Sequence, residues 1–584
     1  FLFFCCVLSA QNARITGVIL DGEKHPVSGV NISSQGNAVQ SDSNGFFEIT
    51  VTANRKVSLI FTHVSLKMIS LTVSLKANEV FVFNPVMNNS QEQMGEVFVS
   101  SGNRKRVQGI ATIDSETIKK IPGANAGIEN VLKTLPGVNS NNELSTQYMV
   151  RGGNYDENLV YVNEVEVYRP FLIRSGQQEG LSFTNTDLVQ NVEFSAGGFQ
   201  AKFGDKLSSV LDITYRKPTQ FGASLEASFL GGSASVDLVS KNKKWSAVTG
   251  IRYRNNSLLV NSQDTQTNYK PTFADVQTNI NYDISAKWQM SFLGNISQNK
   301  YSYEPQVRQT NFGTLDQPMA LSVYYQGQEK DRYDTYFGAL KTTYKVSPSL
   351  TLKLIGSLFH TTEQEHFDIL AQYRLGNVNE EDPTNPSTID FTRGIGSQLN
   401  HARNDLDALI ANMELKGTKD WKESQLEFGL KYTSESIRDR VVEWEVIDSA
   451  GFSINPPLVI LPENNQPYTP YAGPLLPYKN IRATNFNTIN RFSGYAQCNK
   501  QSEIGSSQIW YHLGARFQSW NVPGALEEGK MQTVISPRAQ FAIKPDWDRD
   551  MVFRISGGLY HQPPFYRELR DLDGVVNPNV KAQE

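Results

Sequence analysis

Seven histidines are scattered through the 584 residues. His360 and His366 are separated by Thr-Thr-Glu-Gln-Glu. That is not the spacing that places two imidazoles on one helical face for zinc. The run Glu380-Glu381-Asp382 could offer oxygens to calcium, but no ligand loop frames it. It reads as solvated loop. Three cysteines are present. Cys5 and Cys6 lie in the first ten residues, which leaves Cys498 alone. One thiol makes neither an intrachain disulfide nor a thiolate zinc site. No Gly-x-Ser-x-Gly elbow with a partner histidine occurs, and the pairs Gly152-Gly153 and Gly197-Gly198 lack the phosphate-loop and dinucleotide spacings. The residues therefore predict no metal, no cofactor and no catalytic centre; the chain reads as a non-enzyme. Binding chemistry remains: tyrosine-rich tracts (Tyr301, Tyr303, Tyr324, Tyr325; Tyr468, Tyr471, Tyr478) that could stack on a ligand.

The elements that carry these residues follow from composition and pattern. The net charge is only −4, so the basic excess of a nucleic-acid binder is missing. The hydrophobic share is 39% and the charged share 20%. Both lie below the usual values of about 45–50% and ~25%. Yet Phe 31, Tyr 24 and Trp 7 make the chain aromatic, and no run approaches the ~18 apolar residues of a membrane helix. A polar, aromatic, β-prone chain of this length is a large soluble β-protein or a transmembrane β-barrel.

The first ten residues, ending Ser9-Ala10, read as the remnant of a secretory signal. Residues 13–88 carry short β-branched and aromatic runs punctuated by Gly, Asn and Pro, the pattern of a β-sandwich. Asp42-Ser43-Asn44-Gly45 before Phe46-Phe47 predicts a tight turn. With Ile15-Thr16-Gly17-Val18 and Pro26-Val27-Ser28-Gly29-Val30, this stretch resembles the carboxypeptidase-regulatory-like domain found at the front of many outer-membrane receptors. That likeness implies no enzymatic activity.

Residues 89–110 form a polar linker around Glu96-Val97-Phe98-Val99-Ser100. A short β-prone run in such surroundings can add itself as a strand to another protein's sheet edge. Residues 111–217 read as a mixed α/β unit. Short helices are expected over Ser115–Ile121 and Ala126–Leu135, the second with Ile128, Val131, Leu132 and Leu135 on one face. Then come Arg151-Gly152-Gly153, the run LVYVNEVEVY, and Gly197-Gly198-Phe199-Gln200-Ala201-Lys202-Phe203-Gly204 before LSSVLDI. In this order the motifs resemble the plug domain of TonB-dependent receptors of the Bacteroidota type. One departure is Asp205-Lys206, where relatives often have Gly-Arg. The resemblance implies that Glu96–Ser100 is a TonB box, coupled to TonB and its inner-membrane motor. It also implies that Tyr168-Arg169-Pro170-Phe171-Leu172-Ile173-Arg174 is the apical plug loop. There Tyr168, Arg169, Phe171 and Arg174 would suit an anionic or sugar-like ligand. An extracellular ligand, outer-membrane lipid and a surface lipoprotein are the other partners the family admits; nucleic acid is not one.

From residue 218 onward apolar and polar residues alternate with period 2. Val276, Thr278, Ile280, Tyr282 and Ile284 oppose Asp275, Gln277, Asn279, Asn281 and Asp283. Trp288, Met290, Phe292 and Ile296 oppose Lys287, Gln289, Ser291 and Asn295. Alternation alone fits a soluble core or a lipid face. The connections decide for lipid: short polar turns alternate with long stretches, roughly 254–274, 301–334, 361–404 and 436–490, as in outer-membrane barrels. Trp245, Trp288, Tyr344, Tyr432 and Trp510 near strand ends suggest an aromatic girdle. About 13 strands are expected here, against about 22 in plugged transporters, so residues 218–584 read as the N-terminal part of a barrel. The expected fold is thus mostly β: sandwich, α/β plug, and incomplete antiparallel transmembrane barrel. The expected function is energy-coupled import of a scarce ligand across the outer membrane, with the sandwich and plug facing the periplasm. A secreted β-rich adhesion protein is the alternative.

Overall fold

The computed structural model describes residues 12–22, 25–34, 37–63, 66–87, 109–120, 127–140, 145–172, 182–204, 206–261, 268–314, 317–378, 389–421, 423–449, 452–453, 477–505, 507–523, 529–547, 549 and 551–584. The chain divides into two compact units, Phe1–Val97 and Phe98–Glu584.

In the first unit Phe46–Thr52, Asn12–Val18 and Val80–Val82 form one sheet, and Asn37–Gln40, Asn31–Ser34, Lys56–His63 and Leu66–Ser74 form another. Alternate residues of Phe46–Thr52 and Lys56–His63 are buried, which is the two-face pattern of a half-covered strand. Ile15, Phe47 and Ile49 from one sheet meet Ile32, Leu59 and Phe61 from the other in a single core. The Phe47 and Phe61 rings meet edge to face at 5.3 Å. The expected turn forms: the Asp42 carboxylate accepts the Asn44 and Phe46 amides, both at 2.9 Å.

The second unit holds two layers. Its small sheet runs in the order β1 (Ala111–Asp114), β4 (Val189–Ser195), β5 (Ser209–Tyr215), β2 (Asn158–Val162), β3 (Val165–Glu166). Only the β5–β2 pair is parallel. Helix α1 is Ser115–Lys120, and α2 is Ile128–Leu132. Ile128, Val131 and Leu132 are buried, with Leu135 packed beside them, which is the predicted apolar face.

The large sheet is an antiparallel meander. Its path runs through β6 (Gly222–Ser228), β7 (Gly231–Val239), β8 (Trp245–Asn255), β9 (Asn268–Asp283) and β10 (Trp288–Glu304). It continues through β11 (Gln317–Ser347), β12 (Leu350–Val378), β13 (Ile389–Asp420) and β14 (Ser424–Ser449). It ends with β15 (Lys479–Ile504), β16 (Ser507–Asn521), β17 (Gln532–Lys544) and β18 (Phe553–Gly558). Arg308–Thr314 and Phe452–Ser453 pair off this path. The stretches expected as long loops are largely strand. Residues 361–378 continue β12, and their ladder to β13 holds from Leu350↔Lys419 to Val378↔Ile389. The reason is pairing: a polar segment satisfies its backbone groups better in a continued ladder than as irregular chain. Accordingly His360, His366 and His401 are strand residues. Each faces an aspartate, Asp407 at 2.8 Å, Asp405 at 3.0 Å and Asp368 at 2.6 Å. Glu380–Asp382, Tyr468 and Tyr471 lie outside the described residues.

The sheet is inverted relative to a soluble protein. Leu340, Leu358, Leu409, Met413, Leu513 and Ile535 are exposed, while Asn279, Glu363, Glu365, Asp439, Gln497 and Arg516 are buried. Trp288, Tyr344 and Tyr432 lie on the apolar outward face, with Trp288 and Tyr344 paired across β10 and β11. Trp510 departs from the girdle expectation: it is buried beside Ala542 and Val552. Among the described residues no helix is long and apolar enough to cross a membrane.

The buried face of the large sheet covers the small one. Leu188, Val192 and Ile213 share a core with Val248 of β8, Leu293 of β10, Phe359 of β12 and Ile410 of β13. At the far end Arg538 of β17 donates to the Gln200 carbonyl at 2.8 Å. Laid flat at about 4.8 Å per strand, β8 and β17 would stand roughly 43 Å apart. A domain of ~100 residues has a radius of gyration near 13 Å. It can touch β8 and β17 together only if the sheet curls around it.

Candidate functional site

Beside the shared apolar core, the small domain and the wall make many polar contacts. Three groups of them matter. The first is the Gly197–Gly204 stretch. Arg538 Nη1 donates to the carbonyls of Gln200 and Phe203 at 2.8 and 2.6 Å, and its guanidinium lies over the Phe199 and Tyr560 rings. Gln540 donates to the Gly198 carbonyl. A Cβ on Gly204 would collide with the Arg516 guanidinium, and one on Gly153 with the Ser208 and Glu157 side chains. The glycines at these two positions are there for close approach. Arg151 itself is exposed, and its side chain runs beside Gly137 and Gly197. At Gly197 and Gly198 a Cβ would meet Arg151 and Ser556, whereas Gly152, at φ 87°, borders open space.

The second group surrounds Arg252 of β8. It pairs with Asp275 and donates to the Thr184 and Ser182 carbonyls at 2.8 Å.

The third is a charge cluster at the β2–β3 turn. Asn163 and Glu164 both take positive φ, 52° and 71°. That conformation is uncommon for residues other than glycine. It aims Glu164 at three lysines of the wall. Lys353 Nζ donates to Glu164 Oε1 at 2.6 Å, Lys416 Nζ to the Glu164 carbonyl at 3.1 Å, and Lys341 Nζ to the Asn163 carbonyl at 3.0 Å. Burial alone would raise the Glu164 carboxyl; Lys341, Lys353 and Lys416 outweigh it and hold it well below the usual carboxylate range.

Asp212 on β5 is shifted the other way. Burial pushes its carboxyl up, to about 6, and Glu193, directly opposite on β4, pushes the same way. Lys202 and Lys416 offset part of this, while Glu164 adds to it. A folded-state value above the unfolded one means that ionisation costs stability. The cost is absent below about pH 4 and complete above about pH 6. Asp212→Asn is therefore expected to hold the plug more firmly at pH 7, by on the order of 1–3 kcal/mol. It should also flatten the loss of stability between pH 4 and 6. Urea-dependent proteolysis of residues 111–215 at several pH values measures both.

Past the turn, the chain climbs along β12 from Lys353 to Glu363, roughly 33 Å along the strand. The Tyr168 ring meets that of Phe359 at 5.6 Å, tilted by 53°, and its hydroxyl donates to Asn412 at 3.1 Å. Arg169 lies over the Tyr155 ring at 5.4 Å. The buried Glu363 carboxylate accepts both following amides, Phe171 N at 2.8 Å and Leu172 N at 2.6 Å. Tyr168–Pro170 stands between two cavities of about 200 and 130 Å³, and lines both. The larger is completed by Lys206, by Lys431, Arg491 and Trp520 of the wall, and by Phe565 and Arg567. The chain that carries these last two folds inward: Tyr566 donates to Asp439 at 2.7 Å, and Arg491 to the Pro564 carbonyl at 2.9 Å.

Three of the residues expected to meet ligand, Tyr168, Arg169 and Phe171, therefore line one chamber. Arg174 lies outside the described residues, as does Glu96–Ser100. Lys431, Arg491, Trp520 and Arg567 were not singled out from sequence, because one inward arginine on a polar strand face looks like any other. Among the described residues no His, Cys, Asp and Glu cluster forms a metal site.

Residues 15–99 match the family described as CarboxypepD_reg-like domain, and residues 103–209 match the TonB-dependent Receptor Plug Domain. No curated protein matches the chain. Among solved structures it is similar to the ferric preacinetobactin receptor BauA from Acinetobacter baumannii. The identity is 12% and the TM-score 0.46, over 75% of this chain and 61% of that one. It is similar to the copper transporter OprC at 11% and TM-score 0.49, over 79% and 65%. It is also similar to the RagAB peptide transporter at 10% and TM-score 0.43, over 81% and 61%. The chain spans less than two thirds of the length of these structures. A domain of the plug family thus sits against the buried face of an inverted antiparallel sheet, and a regulatory-like domain precedes it in the chain.

Proposed function

We propose that this protein imports a scarce ligand across the outer membrane by energy-coupled movement of its plug. The observation that supports it most is the reversed polarity of the large sheet, apolar outside and charged inside around a seated domain. An apolar outer face needs hydrocarbon, and a filled lumen stops free diffusion. Ligand enters at the end where β11 to β15 run long, opposite the short turns. The domain ahead of the plug faces the periplasm. The chamber beside Tyr168, Arg169 and Phe171 takes the ligand, with a surplus of cationic side chains that favours an anionic one carrying a flat or ring-shaped surface. Glu96–Ser100 docks as an added strand on TonB, and the inner-membrane motor supplies the work, because the outer membrane holds no nucleotide and no large potential. A surface lipoprotein over the long-strand end is compatible with this arrangement.

The test separates binding from transport. Cells expressing the complete protein are given its ligand with and without an uncoupler of the inner-membrane proton gradient. Binding should persist in both, and accumulation should stop in uncoupled cells. Undiminished accumulation without the gradient would overturn the proposal.

A further inference from the structure

The outward face of the large sheet carries a groove of about 1150 Å³ across β10 to β14. Ligand pockets commonly hold roughly 300–1,000 Å³. The groove exists because outward positions on adjacent strands are small, Gly338 on β11 and Gly356 on β12. Leu340, Leu358, Leu409 and Met413 stand around them, all exposed. A Cβ on Gly356 would meet nothing within 4 Å, so the space is open rather than packed.

Further from the short turns, the outward residues change character over two neighbouring rows of four adjacent strands. Tyr336 gives way to Asp334 on β11, Leu358 to His360 on β12, Leu409 to Asp407 on β13, and Ser436 to Arg438 on β14. From the turn at Pro348-Ser349 to His360 is roughly 25–30 Å of height for a strand tilted by about 40°, against an apolar band about 25 Å tall. Most of the charges in these rows are matched. His360 meets Asp407 at 2.8 Å, and Arg332 donates to Asp334 at 2.7 Å. Arg438 pairs with Asp407 in the ladder, but Asp407 is already engaged by His360. Among the described residues the exposed Arg438 guanidinium makes no ion pair. It lines both the apolar groove and a second cavity of about 560 Å³ just beyond it, where Arg332 and Arg440 are paired with Asp334 and Asp405 and where Asp407 also lies.

We infer that this groove binds a phosphorylated acyl lipid of the surrounding leaflet, its chains along Gly338 and Gly356 and its phosphate on Arg438. A planar guanidinium suits a phosphate by paired donation. Hydrocarbon chains need the floor that the two glycines leave open. The inference rests on the proposed membrane reading, since the groove must face a bilayer.

The complete protein, purified in mild detergent, is offered dioleoyl phosphatidic acid or dioleoylglycerol, which share their chains and differ in the phosphate. Native mass spectrometry counts the bound lipid. The expected result is retention of phosphatidic acid about tenfold above the diacylglycerol. Arg438→Ala should remove that preference. Gly356→Leu, whose Cβ has free space, projects an isobutyl group into the groove and should lower binding of both lipids. Lys287→Ala, in a short turn at the other end, should change neither. Equal retention of the two lipids by the unaltered protein, or an undiminished preference in Arg438→Ala, overturns the inference. Circular dichroism of each variant checks that the sheet is intact. A protein that stays dissolved without detergent defeats the membrane reading itself, before any lipid is scored.

Discussion

Removing Glu96–Ser100 should abolish accumulation of ligand inside the cell and leave binding at the surface unchanged. The effect is expected to be all or none, because the segment is the proposed point where outside work enters. The chamber at Tyr168, Arg169 and Phe171 is built from the plug, the wall and residues 563–567, so the deletion removes none of its walls. The affinity of a strand added to a foreign sheet edge comes from main-chain hydrogen bonds. A single side-chain change such as Val97→Ala should therefore do little, while Val97→Pro, which deletes a donor and fixes φ, should approach the deletion. Radiolabelled uptake and binding in parallel distinguish these outcomes. Equal uptake with and without the five residues would remove them from the coupling role.

Glu164→Lys should unseat the β2–β3 turn and make the wall leak. The substitution places a fourth ammonium among Lys341, Lys353 and Lys416, at a turn whose two residues already take an uncommon backbone conformation. Breaking a fully buried pair costs about 3–5 kcal/mol. Glu164 keeps 37% of its side chain exposed, so solvent screening lowers the expectation to about 2–3 kcal/mol. That is roughly a 30- to 150-fold shift toward a loosened plug. Entry of a large glycopeptide antibiotic that an intact outer membrane excludes gives the readout. The charge swap Glu164→Lys with Lys353→Glu should restore most of the barrier, which a mere packing defect would not allow. The latch is also expected to survive moderate acid. A carboxyl held below its unfolded value stabilises fully above about pH 4.3, and loses that contribution only as pH falls through the lower folded value. Acidification from pH 7 to 5 should leave the Glu164 contacts intact while it relieves Asp212.

The Glu164 contact is one of two that tie the small domain to β12. Glu164 anchors the plug near the short turns, and Glu363 holds the Phe171 and Leu172 amides some ten residues higher on the same wall strand. Tyr168–Pro170 spans the interval and separates the two cavities. Ligand that displaces this partition must work against the Glu363 contacts, so occupancy and plug seating share one stretch of backbone.

Much of this was legible in the residues. Alternation such as Val276, Thr278, Ile280 against Gln277, Asn279, Asn281 gives strand faces directly, because side chains alternate with period 2. Order and spacing of Arg151-Gly152-Gly153 and Gly197–Gly204 identified the plug, since close approach by Ser208 and Arg516 leaves no room for a Cβ. The apolar helix face at Ile128, Val131 and Leu132 followed from helical spacing in the same way. What local pattern could not supply was partnership across the ladder. Residues 361–404 are polar and read as loop, yet β12 and β13 pair through most of that span. No local propensity marks a polar segment whose hydrogen-bond partner lies tens of residues away. For the same reason Lys341, Lys353 and Lys416 look like three unrelated strand lysines until the ladders of β11, β12 and β13 set them side by side at one turn. Arg438 becomes notable only when Asp407 is found engaged by His360. Pattern along the chain decides which face a side chain takes; closure in three dimensions decides what it meets there.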